Sequence, residues 1–384
     1  MLFRSHPTNV LETGWDILFF WVARMILTTT YVTGEVPFRD VYLHGMVRAE
    51  DGKKMSKSRP ESIIDPLTVI NEYGTDALRM ALIMGVSPGN DQNWATSKVE
   101  ANRNFANKLW NIARYIEGSL GEQLNLDAIP QPESLADNWI IGNLKSAIES
   151  THRNLADYRF SEAYNTLYHL IWDDVADWYI EASKTTQNAS VLNYTLATIL
   201  KLLHPFAPFV TEAIWQQLSK GDSLLSTQPW PAKAEFDYDK AKDFVAIQSI
   251  VTGVRQIRTE LKLQKGTLGH TNDQFITDNT ELIKLLGKLD RVEAMDAREG
   301  LTITGTNHDC WYVIDAETAK KYVQSLKDDQ ANLQSQINRL NERLANKNYV
   351  EKAPAELITQ TREELASAQK ELDKVFSQIE NFNS

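Results

Sequence analysis

Residues 316–384 constrain the fold more tightly than any other stretch of the chain. Leu326, Leu333, Ile337, Leu340 and Leu344 follow alternating four- and three-residue steps, with Gln330 in the one polar place. After a break from Asn346 to Pro354, Ile358, Leu365, Leu372 and Ile379 recur every seven residues. Such a heptad puts its apolar side chains on one seam, which only another helix can cover. Two such helices joined by a short turn predict an antiparallel coiled-coil hairpin. The same seam would also serve dimerisation between two chains. With ten basic and eleven acidic residues, this segment is close to neutral.

Upstream, helical spacing dominates from about Ser97 to Leu218. Trp139, Ile140, Leu144 and Ile148 keep it, as do Leu167, Leu170, Ile171, Val175, Trp178 and Ile180. Several long helices with short connections predict a bundle. Aromatic side chains at this spacing read as core and not as a stacking surface. A loop rich in Ser, Gly, Asp and Pro, Lys220 to Pro231, closes the bundle. Residues 241–263 read as one more amphipathic helix. The runs Val292–Met295, Leu301–Thr304 and Trp311–Ile314 predict a small α+β module. Near that helix's end Arg255, Arg258, Lys262 and Lys265 fall at steps of three, four and three, which lines them on one face beside Val251, Val254, Ile257 and Leu261. Such a stripe fits an anionic partner or a solvated face.

Residues 1–95 mix short apolar runs with turn signals and read as α/β. Ile17 to Ala23 predicts a buried helix, far too short to span a bilayer. Asp40 to Gly45 reads as a buried strand, Asp65-Pro66 opens a helix, and Thr75 caps a second one. Between strand and helix lies a cationic loop. Arg48, Lys53, Lys54, Lys57 and Arg59 place five positive side chains within twelve residues, and Gly52 and Ser56 keep the backbone supple. Strand, loop and helix at the carboxyl edge of a parallel sheet is where doubly wound folds bind nucleotides. Positioned lysines there suit a polyphosphate whose charge grows at the leaving group, although a solvated basic turn would carry the same charges.

Composition narrows the classes. The formal net charge of −11 argues against a general nucleic-acid coat. A single cysteine, Cys310, excludes an internal disulfide and any multi-cysteine zinc site, and fits a reducing, cytoplasmic setting. No Gly-x4-Gly-Lys-Ser/Thr step is present, which sets aside P-loop nucleotidases.

Lys54-Met55-Ser56-Lys57-Ser58, preceded by Leu43-His44-Gly45-Met46-Val47 and followed by Ile64-Asp65-Pro66-Leu67, resembles the signature loop of class I aminoacyl-tRNA synthetases. The run from Val10 to Met25, with Glu12-Thr13-Gly14-Trp15-Asp16 inside it, is similar to the valine-specific branch. So are Arg103–Asn111, His204–Phe209 and Tyr349–Glu356. The resemblance runs from about Val10 to the end. It implies the C-terminal half of a Rossmann-type catalytic domain (1–95), a helical anticodon-binding domain (96–240), a junction module (241–315) and a coiled-coil tRNA-binding arm (316–384). After Ser58 that family has a short Gly-Asn step, whereas Arg59-Pro60-Glu61-Ser62-Ile63 stands here, one residue longer.

What the resemblance implies is activation of valine by ATP, with Mg²⁺ accompanying the phosphates, and transfer to tRNA(Val). Lys54 and Lys57 would grip the leaving pyrophosphate, Lys57 above all, and Ser56 and Ser58 would support the closed loop. His44, Gly45 and Met46 would lie along the adenine, and Gly14 and Asp16 near the ribose. Asp16 reads equally as a helix cap. Arg255, Arg258, Lys262 and Lys265 would meet RNA. No metal ligands are expected, no membrane contact, and a monomeric full-length enzyme. The family's second signature, His-x-Gly-His at a helix start, is absent, since His6, His44, His152, His169, His204, His270 and His308 are not so spaced. The editing insertion is not visible either. The alternative is a non-catalytic tRNA-binding fragment or subunit that needs a separate N-terminal half. Either way, the purified 384-residue chain should give no valine-dependent exchange of pyrophosphate into ATP. Measurable exchange would overturn that expectation.

Overall fold

Two parallel strands begin the structure, β1 (Thr8–Gly14) and β2 (Phe38–His44), in register from Thr8↔Phe38 to Gly14↔His44. The computed structural model describes residues 6–221, 223–303, 305–345 and 355–382. Between the strands a short 3₁₀ turn and a π-helical turn, Trp15 to Val22, lead into α1 (Ala23–Thr33). The sequence predicted burial here, and the structure corrects it. Phe19 is 76% exposed and Tyr31 92%, and of the run from Leu18 to Val22 only Val22 is buried. The side chains of β2 are likewise mostly exposed or half-buried. Parallel sheets are normally covered on both faces. Here β1 and β2 pair only with each other among the described residues, and although Tyr42 packs against Tyr158 and Phe160, most apolar side chains between Trp15 and Val36 stay exposed.

The next segment is better packed. Strands β3 (Val47–Arg48) and β4 (Gln92–Asn93) pair in parallel. Between them run α2 (Pro66–Tyr73) and α3 (Thr75–Ile83). Asp65 caps α2 by accepting from the Leu67 amide at 3.1 Å and the Thr68 hydroxyl at 2.9 Å. For α3 the expected threonine cap is not used. Gly74, at φ +94°, makes the turn and Thr75 is already the first helical residue, with no side-chain capping bond. From α3, Asp76 accepts from the Phe209 and Val210 amides at 3.3 and 2.6 Å, and Arg79 donates to the Pro205 carbonyl at 3.2 Å.

The bundle follows the predicted periodicity. It comprises α4 (Thr96–Leu120), α5 (Leu135–Ala156), α6 (Phe160–His169), a π-helical continuation Leu170–Tyr179, α7 (Ile180–Ala182), α8 (Ala189–Leu203) and α9 (Pro208–Leu218). Phe105, Leu109, Ile116, Ile140, Leu144, Leu167, Ile171 and Val175 are essentially inaccessible, and twelve of the fifteen residues of α8 are buried. Each such apolar side chain contributes about 1.5–3 kcal/mol of burial. Residues 1–241 form one compact unit and 242–384 a second.

In the second unit α10 (Tyr238–Glu260) leads to a four-stranded sheet in the order β6-β5-β8-β7. Its strands are β5 (Thr267–His270), β6 (Arg291–Ala294), β7 (Leu301–Thr302) and β8 (Cys310–Val313). β5 runs parallel to β6 and antiparallel to β8. Helices α11 (Gln274–Asp278) and α12 (Thr280–Gly287) connect β5 to β6. The tail forms α13 (Ala316–Ala345) and α14 (Ala355–Phe382), packed along each other. Ile337 clusters with Ala368 and Leu372, flanked by Leu333 and Leu365. The two helices form an antiparallel hairpin. The break from Asn346 to Pro354 lies outside the described residues. No described helix is long and apolar enough to cross a membrane.

Asp137 holds the bundle's polar centre. It is 1% exposed and completes a capping box with Ser134. It accepts from the Tyr179 hydroxyl at 2.9 Å and the Asn188 side-chain amide at 3.0 Å. Asp137→Ala removes the cap and orphans both donors, so it should destabilise the protein by about 3 kcal/mol or more. Tyr179→Phe, which removes one bond and keeps the shape, should cost about 1–2 kcal/mol. Denaturant unfolding followed by tryptophan fluorescence checks the order of the two.

Candidate functional site

The carboxyl ends of β1 and β2 bring three of the expected residues together. Gly14 and His44 are opposite each other in the register. A Cβ on Gly14 would come within 2.7 Å of the Asp16 carboxylate and 3.6 Å of the His44 ring, so a larger residue here would push the Asp16 side chain aside. Asp16 and His44 are exposed. His44 Nε2 lies 3.4 Å from Glu12, and its Nδ1 is 2.9 Å from the Gly45 carbonyl oxygen. At Gly45 the Asn90 backbone passes so close that a Cβ would overlap its carbonyl oxygen at 1.7 Å.

Asp91 organises what surrounds them. One of its oxygens accepts from the Met46 amide at 2.7 Å and from Trp15 Nε1 at 3.2 Å. The other accepts from Arg48 Nε at 2.7 Å. These donors hold its pKa down at about 2, the Met46 amide contributing most. The Met46 carbonyl in turn accepts from the Gln92 amide at 3.0 Å, so the Met46 backbone is engaged within the protein. Asp91 therefore joins the end of β1, the His44–Met46 segment and the stem of the lysine loop. Sequence reading missed it. The only available signal was the turn cluster Gly89-Asn90-Asp91, which marks a loop without marking a role.

The loop itself is folded back on an internal clamp. Arg59 donates to Asp51 at 3.1 Å and to the Lys54 carbonyl at 2.9 Å, and Asp51 also accepts from the Lys53 amide at 3.0 Å. Hydrogen bonding to Lys53 and Arg59 lowers the Asp51 pKa. Ser56 and Ser58 share a hydroxyl hydrogen bond of 2.8 Å. Pro60 starts a 3₁₀ turn, Pro60–Ser62, where the altered sequence follows the loop. The loop's ion pairs involve Lys53 and Arg59, both to Asp51. Lys54 and Lys57 stand outside those pairs with exposed side chains. An anionic group meeting them displaces no internal partner. Among the described residues no group of three or more His, Cys, Asp or Glu side chains is placed to hold a metal ion.

The cationic stripe does not form as the sequence predicted. Helix α10 ends at Glu260, and Lys262 takes a left-handed conformation at φ +53°, so Lys262 and Lys265 lie beyond the helix. Arg255 donates twice to the Leu286 carbonyl, at 3.2 and 3.0 Å, and Arg258 donates to Gly287 at 2.8 Å and to the Gln264 carbonyl. These guanidiniums satisfy the last carbonyls of α12, the groups a helix leaves without partners. Lys262 is exposed, and Lys265 is exposed beside Asp290 at 3.4 Å. The helix's buried face, with Val254 against Gly287 and Gly253 against Ile303, meets its own module.

Comparisons with known proteins match three successive parts of the chain. Residues 2–95 match the model of class I tRNA synthetases for isoleucine, leucine, methionine and valine. Residues 137–271 match the anticodon-binding domain of tRNA ligases, and 319–383 the valyl tRNA synthetase tRNA binding arm. A valine–tRNA ligase from Staphylococcus saprophyticus is 38% identical over 97% of this chain and 45% of its own length. That of Staphylococcus carnosus is 37% identical over 99% of this chain and 46% of its own. The chain thus spans somewhat under half the length of these curated relatives. Among solved structures, agnB2 LeuRS of Agrobacterium radiobacter K84, in a ternary complex with tRNA and LeuAMS, superposes with a TM-score of 0.51. It is 24% identical and covers 59% of this chain and 29% of that one, a likeness of fold alone. Related along 97–99% of its length to valine–tRNA ligases and matched in three successive parts by synthetase models, this chain belongs to the valine–tRNA ligase family of class I aminoacyl-tRNA synthetases.

Proposed function

We propose that the chain serves ATP-dependent activation of valine and its transfer to tRNA(Val), supplying the lysine loop and the tRNA-binding domains of a cytoplasmic, monomeric enzyme. The carrying observation is the Asp91 junction. One carboxylate ties Trp15, beside Gly14 and Asp16, to Met46 and Arg48, so the ribose-side strand end and the lysine loop share one anchor. The valine carboxylate attacks the α-phosphorus in line and pyrophosphate leaves. The protein's part is to position the reactants and to meet the departing charge. Lys57, with Lys54 beside it, meets that charge. Gly14, Asp16, His44 and Gly45 border the adenosine, and Ser56 and Ser58 brace the loop through their shared hydrogen bond. Met46 contributes shape, its amide being already taken by Asp91. Mg²⁺ arrives with the phosphates as part of the substrate. The loop's own carboxylate, Asp51, is engaged by Lys53 and Arg59 and is poorly placed to bind it.

The open sheet and exposed aromatic side chains between Trp15 and Val36 favour a second element of the reading. Further polypeptide carrying the His-x-Gly-His step completes the nucleotide fold over this face, in the same chain or a separate one. On the tRNA side, the tail hairpin and the helical bundle provide the surfaces, with the exposed Lys262 and Lys265 in place of a four-residue stripe.

In the complete enzyme Lys57→Ala should slow valine activation about 10²-fold or more and leave the KM for valine nearly unchanged, because the contact is made in the transition state. Unchanged turnover with raised KM would refute the role. For the RNA side, Lys262→Ala with Lys265→Ala should lower the salt dependence of tRNA binding by up to about two ion equivalents. Arg255→Ala with Arg258→Ala should instead lower the melting temperature, since α12 loses its carbonyl partners. Filter binding across a salt series, with thermal melts in parallel, separates the two pairs.

A further inference from the structure

The segment after α9 returns along α5 as an extended strap with a regular set of contacts. Asp237 donates its amide to Asn138 at 2.7 Å, and Phe236 packs over Gly142. Glu235 pairs with Lys145 at 3.6 Å and Lys233 with Glu149 at 2.8 Å. The α5 residues 138, 142, 145, 149 and 152 rise by alternating four and three, a single face of the helix. At the last step the pattern changes from ion pair to aromatic pair. His152 and Trp230 meet edge-on, ring centroids 6.3 Å apart.

Here the strap stands off the helix over a cavity of about 580 Å³. Its lining includes the buried Ile148 and Pro231, the aromatic rings of His152 and Trp230, and the charged Glu149, Arg153 and Lys233. Trp230 is 39% exposed, unlike Trp139 and Trp215 of the bundle core. Lys145, Arg153 and Lys233 surround the one carboxylate, Glu149, and each lowers its pKa, Lys233 most. Lys233 and Lys145 are committed to carboxylates, whereas Arg153 enters no ion pair among the described residues. The site thus offers an apolar slot, a π face at its mouth and a cation at its rim. That combination fits a flat heterocycle attached to a phosphate and does not fit an apolar peptide side chain.

We propose that this cavity takes one unpaired nucleotide of a bound RNA, its base against Trp230 and its phosphate at Arg153. The proposal rests on the tRNA reading above and assigns to it residues other than Lys262 and Lys265. Aromatic platforms bind single-stranded bases without demanding a particular base, because every base has a π face. Specificity here would come from where the RNA exposes an unpaired nucleotide.

The test uses the 384-residue chain with a tRNA(Val) transcript, and with CMP as the free-nucleotide arm. Trp230→Ala should weaken transcript binding about 5- to 100-fold, the usual worth of one stacked base. Trp230→Phe should restore most of the loss, and Arg153→Gln should reduce the salt dependence by about one ion equivalent. Equal transcript affinity for parent and Trp230→Ala, at matched melting temperatures, would overturn the site and leave the tRNA reading standing. Loss confined to CMP would also overturn it, by showing a pocket for free nucleotides. A parent chain that does not bind the transcript at all would refute the tRNA reading on which the site depends.

Discussion

A carboxylate drawn at least partly out of water must collect donors, and much of this structure is arranged around three aspartates that do so. Asp137 gathers the amides of Glu133 and Ser134, the Tyr179 hydroxyl and the Asn188 amide, and thereby fixes one loop and three helical segments. Asp76 serves as an N-terminal cap for α9 although it belongs to α3. Asp91 collects donors from two strand ends. In each case the cost of desolvating a charge is offset by directed hydrogen bonds from different parts of the chain. The apolar core sets the helices side by side, but these bonds fix their register.

Charge is handled differently at the surface. A chain of net charge −11 that is to meet RNA and a polyphosphate, as proposed above, must keep positive groups local. The structure sorts its cations by their neighbours. Arg48, Arg59, Arg255 and Arg258 are bound to carboxylates or carbonyls and act as fasteners. Lys54, Lys57 and Lys262 are exposed and stand outside the ion pairs described here. The planar, multi-donor guanidinium suits fastening, and the mobile ammonium suits transient contact with phosphate.

Helix patterns were the most legible part of the sequence. The tail heptads, the bundle and the Asp65-Pro66 helix start are all present, because each depends on local spacing or on one cap. Burial of Ile17 to Ala23 could not be read, since an apolar run states a preference and not whether another surface is available to meet it. Strand β5 escaped notice because Gly266 and Gly269, needed under Tyr312 and Trp311, remove the β-branched alternation that marks a strand. For the candidate site, the motifs named the lysine loop and, separately, Gly14 and His44, which the strand register then sets opposite each other. Asp91 was invisible, as its role exists only when residues 45 and 76 positions away converge on it. The arginines of α10 show the reverse error. Helical periodicity placed them on one face correctly but could not say that α12 would claim that face.

The strap along α5 has an evolutionary corollary. Surface connections usually absorb insertions and deletions freely. This one is locked to a helix at Asp237, Phe236, Glu235 and Lys233, so a single added or deleted residue between Lys233 and Asp237 would put at least one rung out of phase. Length variation among relatives should therefore collect upstream, between Ser219 and Gln228, where the chain makes its turn, and spare the stretch that follows. A segment that composition marks as a loose linker would then keep its length as strictly as a helix does.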